Sequence, residues 1–179
     1  MANEKGVLVV GDMVDGAPAS VSLELLGAGR KLADALGEDL SILIMGNGIG
    51  EGAAKELIAH GANKVYVAND PLLADYHPDS YTAIAEKVAR DTSPNILIMG
   101  RTEMGQDVAP RLAFRLHTGL LMDCLDLKID PNTKLMVMER GVYGGNANAV
   151  LVGGETRPQM ATVRPKTQSA LERNDSRSG

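Results

Sequence analysis

The sequence predicts an α/β protein in which a mostly parallel sheet lies between two layers of helices, with antiparallel strands added in the last third of the chain. Two patterns support this fold class. Short runs rich in Val, Leu and Ile alternate with helical segments four times within the first 119 residues, which is typical of a right-handed parallel sheet with helices on both faces. After Gly119, apolar and polar residues alternate strictly, which is typical of antiparallel strands.

The strand-and-helix units are defined by continuous apolar runs that end near a glycine or a polar residue. Such runs indicate strands that are buried on both faces of a parallel sheet. We predict these strands at residues 5–11, 40–45, 64–68 and 95–99. The first predicted helix, residues 20–36, repeats apolar residues at helical spacing and is followed by Gly37, a C-terminal cap. The other helices are predicted at residues 51–60, from a cap at Asp79 and Ser80 to residue 91, and at residues 106–116.

The last third is predicted to form a hairpin and two further strands. Apolar and polar residues alternate over 125–129, and Pro131-Asn132 supplies a turn. The remaining antiparallel strands are predicted at residues 134–139, 147–152 and 159–163. We expect residues 1–165 to form the domain. Because the composition is polar from Lys166 onward, we expect residues 166–179 to be a flexible tail or the start of an interdomain linker.

Composition and charge exclude several classes of function. Hydrophobic residues make up 44% of the chain and charged residues 23%, which is typical of a folded globular protein. The net charge of −5 argues against nucleic acid as a partner, because phosphate backbones are bound by clustered cations. Apolar runs are far shorter than the ~20 residues that span a bilayer, so we expect no membrane insertion. Since the first residues resemble neither a signal nor a transit peptide, we expect a cytoplasmic protein.

Few residues are candidates for catalysis or metal binding. Cys124 is the sole cysteine, and we expect it to be buried and inert. His60, His77 and His117 are scattered along the sequence without metal-ligand spacing. The sequence therefore predicts no metal site and no catalytic residue. The hypothesis of a hydrolase is not supported, because no base and no nucleophile can be identified.

Two loops join a strand to a helix at the positions where α/β sheets bind ligands. Residues 46–50, Gly-Asn-Gly-Ile-Gly, do not have the spacing of a dinucleotide fingerprint, and we interpret them as a tight turn. The better candidate is an anion or nucleotide loop. Its predicted contacts are Gly100, Arg101, Thr102, Gly105 and Gln106, which combine a cation, a hydroxyl and a helix N-terminus.

The negative charges of Glu103 and Asp107 lie within the same loop and oppose a bound anion. They could instead cap the helix themselves. Pro110 lacks a backbone donor, so the regular helix either begins near Gln106 or kinks at the proline.

Four sequence blocks, in order, resemble the α subunit of electron transfer flavoprotein. The blocks are GQDVAPRLA at 105–113, TGLLMDC at 118–124, VYGGNA at 142–147 and RPQMATVRP at 157–165. The resemblance covers roughly residues 5–165 and implies the N-terminal domain of that subunit, with a fold of the adenine-nucleotide-hydrolase-like type. It also implies that the family's C-terminal FAD domain is absent from this chain.

The resemblance implies an electron-transfer component rather than an enzyme. FAD is expected in the complete family heterodimer, and no cofactor in this chain alone. The implied partner is the β subunit, or a second copy of the chain, through the late strands and residues 140–147. Acyl-CoA-type dehydrogenases would be served through the complete complex, which lies in the mitochondrial matrix in eukaryotic relatives.

The runner-up function is a small adenine-nucleotide-binding module. In the family, the β subunit binds AMP in a loop at the position of residues 100–107. Gly100, Thr102, Gly105 and Gln106 resemble that loop, whereas Arg101 and Pro110 follow the α-subunit pattern.

Overall fold

The central feature of the structure, a computed structural model that describes residues 5–179, is an eight-stranded sheet with helices on both faces. The strands of this sheet are β1 (Val7–Val10), β4 (Leu40–Gly46), β5 (Lys64–Asn69), β6 (Ile96–Gly100), β7 (Leu120–Ile129), β8 (Met136–Val142), β9 (Ala147–Val152) and β10 (Gln159–Val163). Two short strands, β2 (Met13–Val14) and β3 (Ala17–Pro18), form a separate hairpin. The helices are α1 (Ser20–Leu36), α2 (Glu51–Ala59), α3 (Pro78–Thr92) and α4 (Glu103–Arg115), with 3-10 turns at Pro71–Leu73 and Tyr143–Gly145. The predicted fold class is confirmed.

The sheet has the strand order β5-β4-β1-β6-β10-β7-β8-β9. All neighbours from β5 to β7 are parallel, and the β7–β8 and β8–β9 pairs are antiparallel. The neighbours of β1 are therefore β4 on one side and β6 on the other. Strand order reverses at β1, which makes it the topological switch point of the sheet.

The core consists of two layers, one on each face of the sheet. Val7 and Val9 pack with α1 and α2, whereas Leu8 and Val10 pack with α3 and α4. All four side chains are fully buried, because successive residues of a strand point to opposite faces and both faces are covered by helices. This burial explains why the sequence of β1 is continuously apolar.

The last strand is inserted into the middle of the sheet. β10 pairs in parallel with β6 on one side and with β7 on the other, so the prediction of an antiparallel strand at residues 159–163 is wrong in direction. The buried Gln159 side chain accepts a hydrogen bond from the Met136 backbone N–H at 2.8 Å. The Thr162 hydroxyl accepts one from the backbone of Asp123 at 2.9 Å. These contacts satisfy polar groups that burial would otherwise make costly.

Several element boundaries differ from the predictions. α4 begins at Glu103, three residues before the predicted Gln106, since Thr102 caps it by accepting a hydrogen bond from Gly105 N. The helix continues through Pro110. α3 begins at Pro78, so the predicted cap at Asp79 and Ser80 is wrong. The β2–β3 hairpin was not predicted, and β7 begins at Leu120, before the alternating residues.

Residues 166–179, here named the C-terminal strap, contain no helix or strand and lie against α1 and α2. The backbone N–H of Asn174 donates to Ala59 O at 3.0 Å, and His60 Nδ1 lies 2.9 Å from Leu171 O. The strap passes so close to α1 that a Cβ on Gly27 would lie 2.0 Å from Ser169 O. That the strap is a flexible tail or linker beyond a domain of residues 1–165 stays a prediction, and residues 1–4 lie outside the described part of the chain.

Within residues 5–179, no helix combines the length and the apolar character that crossing a bilayer requires.

We predict that Gly27→Ala displaces the strap, although alanine is the better helix former by up to about 1 kcal/mol. The new methyl group would overlap the backbone carbonyl of Ser169, which cannot move without shifting the strap. Limited proteolysis should therefore cleave residues 166–179 faster in this variant. Gly52→Ala in α2 is the matched control, since a Cβ there meets no atom within 4 Å. Equal cleavage in both variants would contradict the close packing.

Candidate functional site

A crevice opens at the carboxyl edge of the sheet, where strand order reverses at β1. Its volume is about 480 Å³. It lies between the residues that follow β1, the end of β4, the 3-10 turn after β5 and the start of α4. Open α/β sheets place their ligands in this position, because the loops diverge there to opposite faces. The crevice is therefore the candidate functional site of the described residues.

Asp12 follows β1 and is fixed at the side of the crevice. The Ser22 hydroxyl accepts a hydrogen bond from the backbone N–H of Asp12 and donates one to its carbonyl, both at 2.8 Å. The carboxylate Oδ1 accepts from the Thr102 hydroxyl at 2.7 Å, whereas Oδ2 is buried with no partner among residues 5–179. Burial raises the pKa of the Asp12 carboxyl, and the hydrogen bond from Thr102 opposes that rise.

Two tyrosines also line the crevice. The rings of Tyr76 and Tyr81 meet edge to face, with centroids 5.1 Å apart. The Tyr76 hydroxyl donates to Asp107 at 3.1 Å, and the Tyr81 hydroxyl donates to Leu73 O at 3.4 Å. Burial, together with the hydrogen bond to Asp107, raises the pKa of Tyr76 to about 12. Both hydroxyl groups are thus anchored in the protein.

The glycine-rich segment 46–50 forms a turn at the edge of the crevice. Gly48 has a φ of +72°, a conformation that favours glycine. The Asn69 side chain accepts from Ile49 N and donates to Ile49 O, each at 3.3 Å. Gly46, Asn47 and Ile49 line the crevice, so the turn also forms part of the candidate site.

The structure brings together four of the five residues of the predicted anion loop. Thr102 Oγ1 accepts from Gly105 N at 3.2 Å, and Thr102 O accepts from Gln106 N at 2.9 Å. Gly105 must be glycine, because a Cβ there would lie 1.8 Å from Gly100 O. The Thr102 hydroxyl already donates its hydrogen bond to Asp12. Whether the loop binds an anion stays a prediction.

The fifth residue, Arg101, joins a separate cluster. Its Nε lies 3.3 Å from Oδ1 of Asp123, and its backbone N–H donates to Val163 O at 2.7 Å. Asp123 also accepts two hydrogen bonds from Arg164, at 2.9 and 2.7 Å. These bonds from Arg164 lower the pKa of Asp123. Arg140 lies near the same carboxylate, and its Nε is buried with no partner among the described residues.

The other candidates from the sequence lie apart from the crevice. Cys124 is buried as predicted, and burial raises the pKa of its thiol to about 12, which keeps it protonated at neutral pH. His60 ends α2, His77 precedes α3 and His117 follows α4. Within residues 5–179, no three His, Cys, Asp or Glu side chains are grouped so that they could hold a metal ion.

Sequence reasoning did not find Asp12, Tyr76 or Tyr81 as site residues. Asp12 stands directly after Gly11 at the end of the first predicted strand, which is a signal for a ligand position in an α/β sheet. The tyrosines carry no such signal, because they come from the irregular connection to α3 and from α3 itself.

The fold and the crevice define the class: an α/β protein whose sheet opens at a topological switch point. The sequence matches the electron transfer flavoprotein domain over residues 7–179. It is 41% identical over 174 residues to electron transfer flavoprotein subunit alpha of Clostridium acetobutylicum, which covers 97% of this chain and 52% of that protein. This chain belongs to the electron transfer flavoprotein family, and the resemblance predicted from its four blocks is confirmed.

Two further relatives carry other names. Protein FixB of Clostridium saccharobutylicum is 42% identical over 165 residues, which cover 92% of this chain and 49% of that protein. Subunit LctC of the lactate dehydrogenase (NAD(+),ferredoxin) of Acetobacterium woodii is 38% identical over 169 residues, or 94% of this chain and 40% of that protein. The chain thus spans about half the length of the curated relatives it matches.

We predict that Asp123→Asn makes folding stability less sensitive to acid. The pKa of Asp123 is lowered from 3.8 in the folded chain. The carboxylate therefore stabilises the fold above the unfolded pKa, and this contribution is lost as the pH falls through the lower folded pKa. Urea unfolding at about pH 6 and about pH 3 should show a smaller loss in the variant than in the unmodified chain. An equal loss of stability in the variant and in the unmodified chain would contradict this role of Asp123.

Proposed function

We propose that this chain is a noncatalytic, scaffolding part of an electron transfer flavoprotein α subunit, and that it supports flavin-mediated electron transfer with a partner chain. The match to the family over nearly all described residues supports the electron-transfer role. The relatives are named as α subunits, as FixB and as a subunit of a dehydrogenase. The proposed partners are a β-type subunit and, through the complete complex, acyl-CoA-type dehydrogenases.

The observation that carries the proposal is the exposed apolar edge formed by β9 and the turn before it. Among residues 5–179, β9 is paired with β8 alone and ends the sheet. Tyr143, Val150 and Val152 are 85, 61 and 57% exposed. An apolar edge strand of this kind supports a contact with another chain, because it presents unpaired backbone groups together with apolar side chains.

FAD does not fit the crevice of this chain. Its pyrophosphate requires hydrogen-bond donors or cations, as at a helix N-terminus with free N–H groups. The charged residues that line the crevice, among those described, are the carboxylates Asp12, Asp15 and Glu103. At the α4 N-terminus, the Thr102 side chain already accepts a hydrogen bond from Gly105 N. The flavin of the proposed complex is therefore assigned to other parts of it, and this chain contributes packing surface.

We expect the purified chain to be colourless. The crevice at the switch point does not fit a flavin, and flavin chemistry requires the bound flavin itself. Gel filtration followed by a visible absorption spectrum tests this. A stoichiometric flavin spectrum that co-elutes with the chain alone would overturn the scaffolding role.

We predict that Val150→Asp weakens binding to a β-type subunit, or self-association, by at least about tenfold, since a charge would be buried in an apolar contact. The variant should fold normally, because Val150 is exposed in the isolated chain. Leu72→Asp is the matched control: Leu72 is also exposed, and it follows β5 at the opposite edge of the sheet. Sedimentation velocity with and without the subunit measures both effects. An equal loss of affinity in the two variants would argue against the β9 edge as the contact surface.

The alternative function is a small adenine-nucleotide-binding module that uses the loop of Gly100, Thr102, Gly105 and Gln106. The position of the crevice beside this loop favours it. The ion pair of Arg101 with Asp123 argues against this function, because it directs the guanidinium group away from the loop.

We expect AMP to bind no more tightly than millimolar. Calorimetric titration decides between the two functions. Micromolar affinity that falls about tenfold or more on substitution of Arg101 or Thr102 would favour the nucleotide module.

A further inference from the structure

We infer that the crevice at the switch point binds a small organic cation, a ligand that carries a protonated amine on an apolar or aromatic body. This site is independent of the β9 edge and of the scaffolding role. It rests on the charge of the lining, on its aromatic side chains and on its volume.

The first argument is electrostatic. Asp12, Asp15 and Glu103 line the crevice, and no Lys, Arg or His is among the described residues that do so. Arg111, which lies beyond Tyr76, is already paired with Asp107 at 2.8 Å and with Asp79 at 3.3 Å. The formal charge of the side chains that line the crevice is therefore negative, which favours cations over phosphates.

The second argument is the state of Asp12. Its Oδ2 is buried without a hydrogen-bond donor among the described residues. A carboxylate in this condition is destabilised, because it has lost water without gaining a full set of partners. A positive charge in the adjacent crevice would offset that cost. A bound cation would also oppose the rise in the pKa of Asp12 that burial causes, because it favours the ionised carboxylate.

The third argument is the placement of the aromatic residues. The chain has one Phe, four Tyr and no Trp, and two of these five, Tyr76 and Tyr81, lie in this crevice. Their hydroxyl groups are fixed by Asp107 and Leu73, so the rings are held in place. The faces of aromatic rings attract ammonium groups. Methionines complete the lining with adaptable apolar surface: Met13, Met45 and Met104.

The fourth argument concerns the kind of cation. The volume of about 480 Å³ lies within the range of ligand sites. A metal ion is not favoured, since residues 5–179 hold no group of three suitable side chains. A single ion would also leave the aromatic and methionine surface unused. An amine with an apolar body uses both parts of the lining.

Three ligands of nearly equal shape test the inference: benzylamine, benzyl alcohol and benzoate. Each is titrated into ¹⁵N-labelled chain at neutral pH while backbone amide shifts are followed by NMR. We expect benzylamine to bind with millimolar affinity and to shift residues around Asp12 and Tyr81, benzyl alcohol to bind about tenfold more weakly, and benzoate not to bind.

Two variants and one control separate the site from general charge effects. Asp12→Asn and Tyr76→Leu should each weaken benzylamine binding, the former by about tenfold. Tyr76 is partly exposed, so its variant keeps the test valid if the change at Asp12 disturbs folding. Glu51→Gln, an exposed carboxylate on α2 outside the crevice, should leave binding unchanged. Absence of benzylamine binding, equal binding of the three ligands, or preference for benzoate or AMP in the crevice would overturn the inference.

Discussion

The insertion of β10 between β6 and β7 is the contact on which the rest of the structure depends. β10 provides the parallel neighbour of both strands and thereby joins the βα half of the sheet to its antiparallel half. Its buried ends also position the residues beyond it. Val163 O holds the backbone of Arg101, and Arg164 N donates to Cys124 O. The geometry of the α4 loop and that of the arginine cluster are therefore set by one strand.

The carboxyl edge of the sheet is divided into two parts of opposite charge. Carboxylates line the crevice beside β1 and β4, whereas Arg101, Arg140 and Arg164 surround Asp123 beside β7. Arg101 decides where the division falls, because it follows β6, which lies next to β1 on one side and next to β10 on the other. Directed toward Asp123, it adds positive charge to the cluster and leaves the crevice negative. Two neighbouring surfaces with different ligand preferences result from one side-chain orientation.

Local sequence patterns were sufficient for the βα units, because strands that are buried on both faces must be continuously apolar, as in β1 and β6. Patterns were not sufficient for the position of β10, since pairing with β6 and β7 depends on contacts that are distant in the sequence. The start of α4 was missed for a local reason: Thr102 caps the helix with its side chain, and the turn that follows holds Glu103. The crevice was missed because its residues come from several loops. The anion loop was predicted as a set of neighbours, but the partner of Arg101 lies on β7.

The distance along the sequence between β6 and β10 also affects biosynthesis. Until residues 159–163 have left the ribosome, β6 and β7 each lack the neighbour that β10 supplies, and the apolar side chains Ile96 and Ile98 belong to an open edge. Synthesis at about 5–20 residues per second leaves this edge available for several seconds. Pairing with another nascent chain would be possible during that interval. Completion of the centre of the sheet therefore depends on a strand that is synthesised only after β7, β8 and β9.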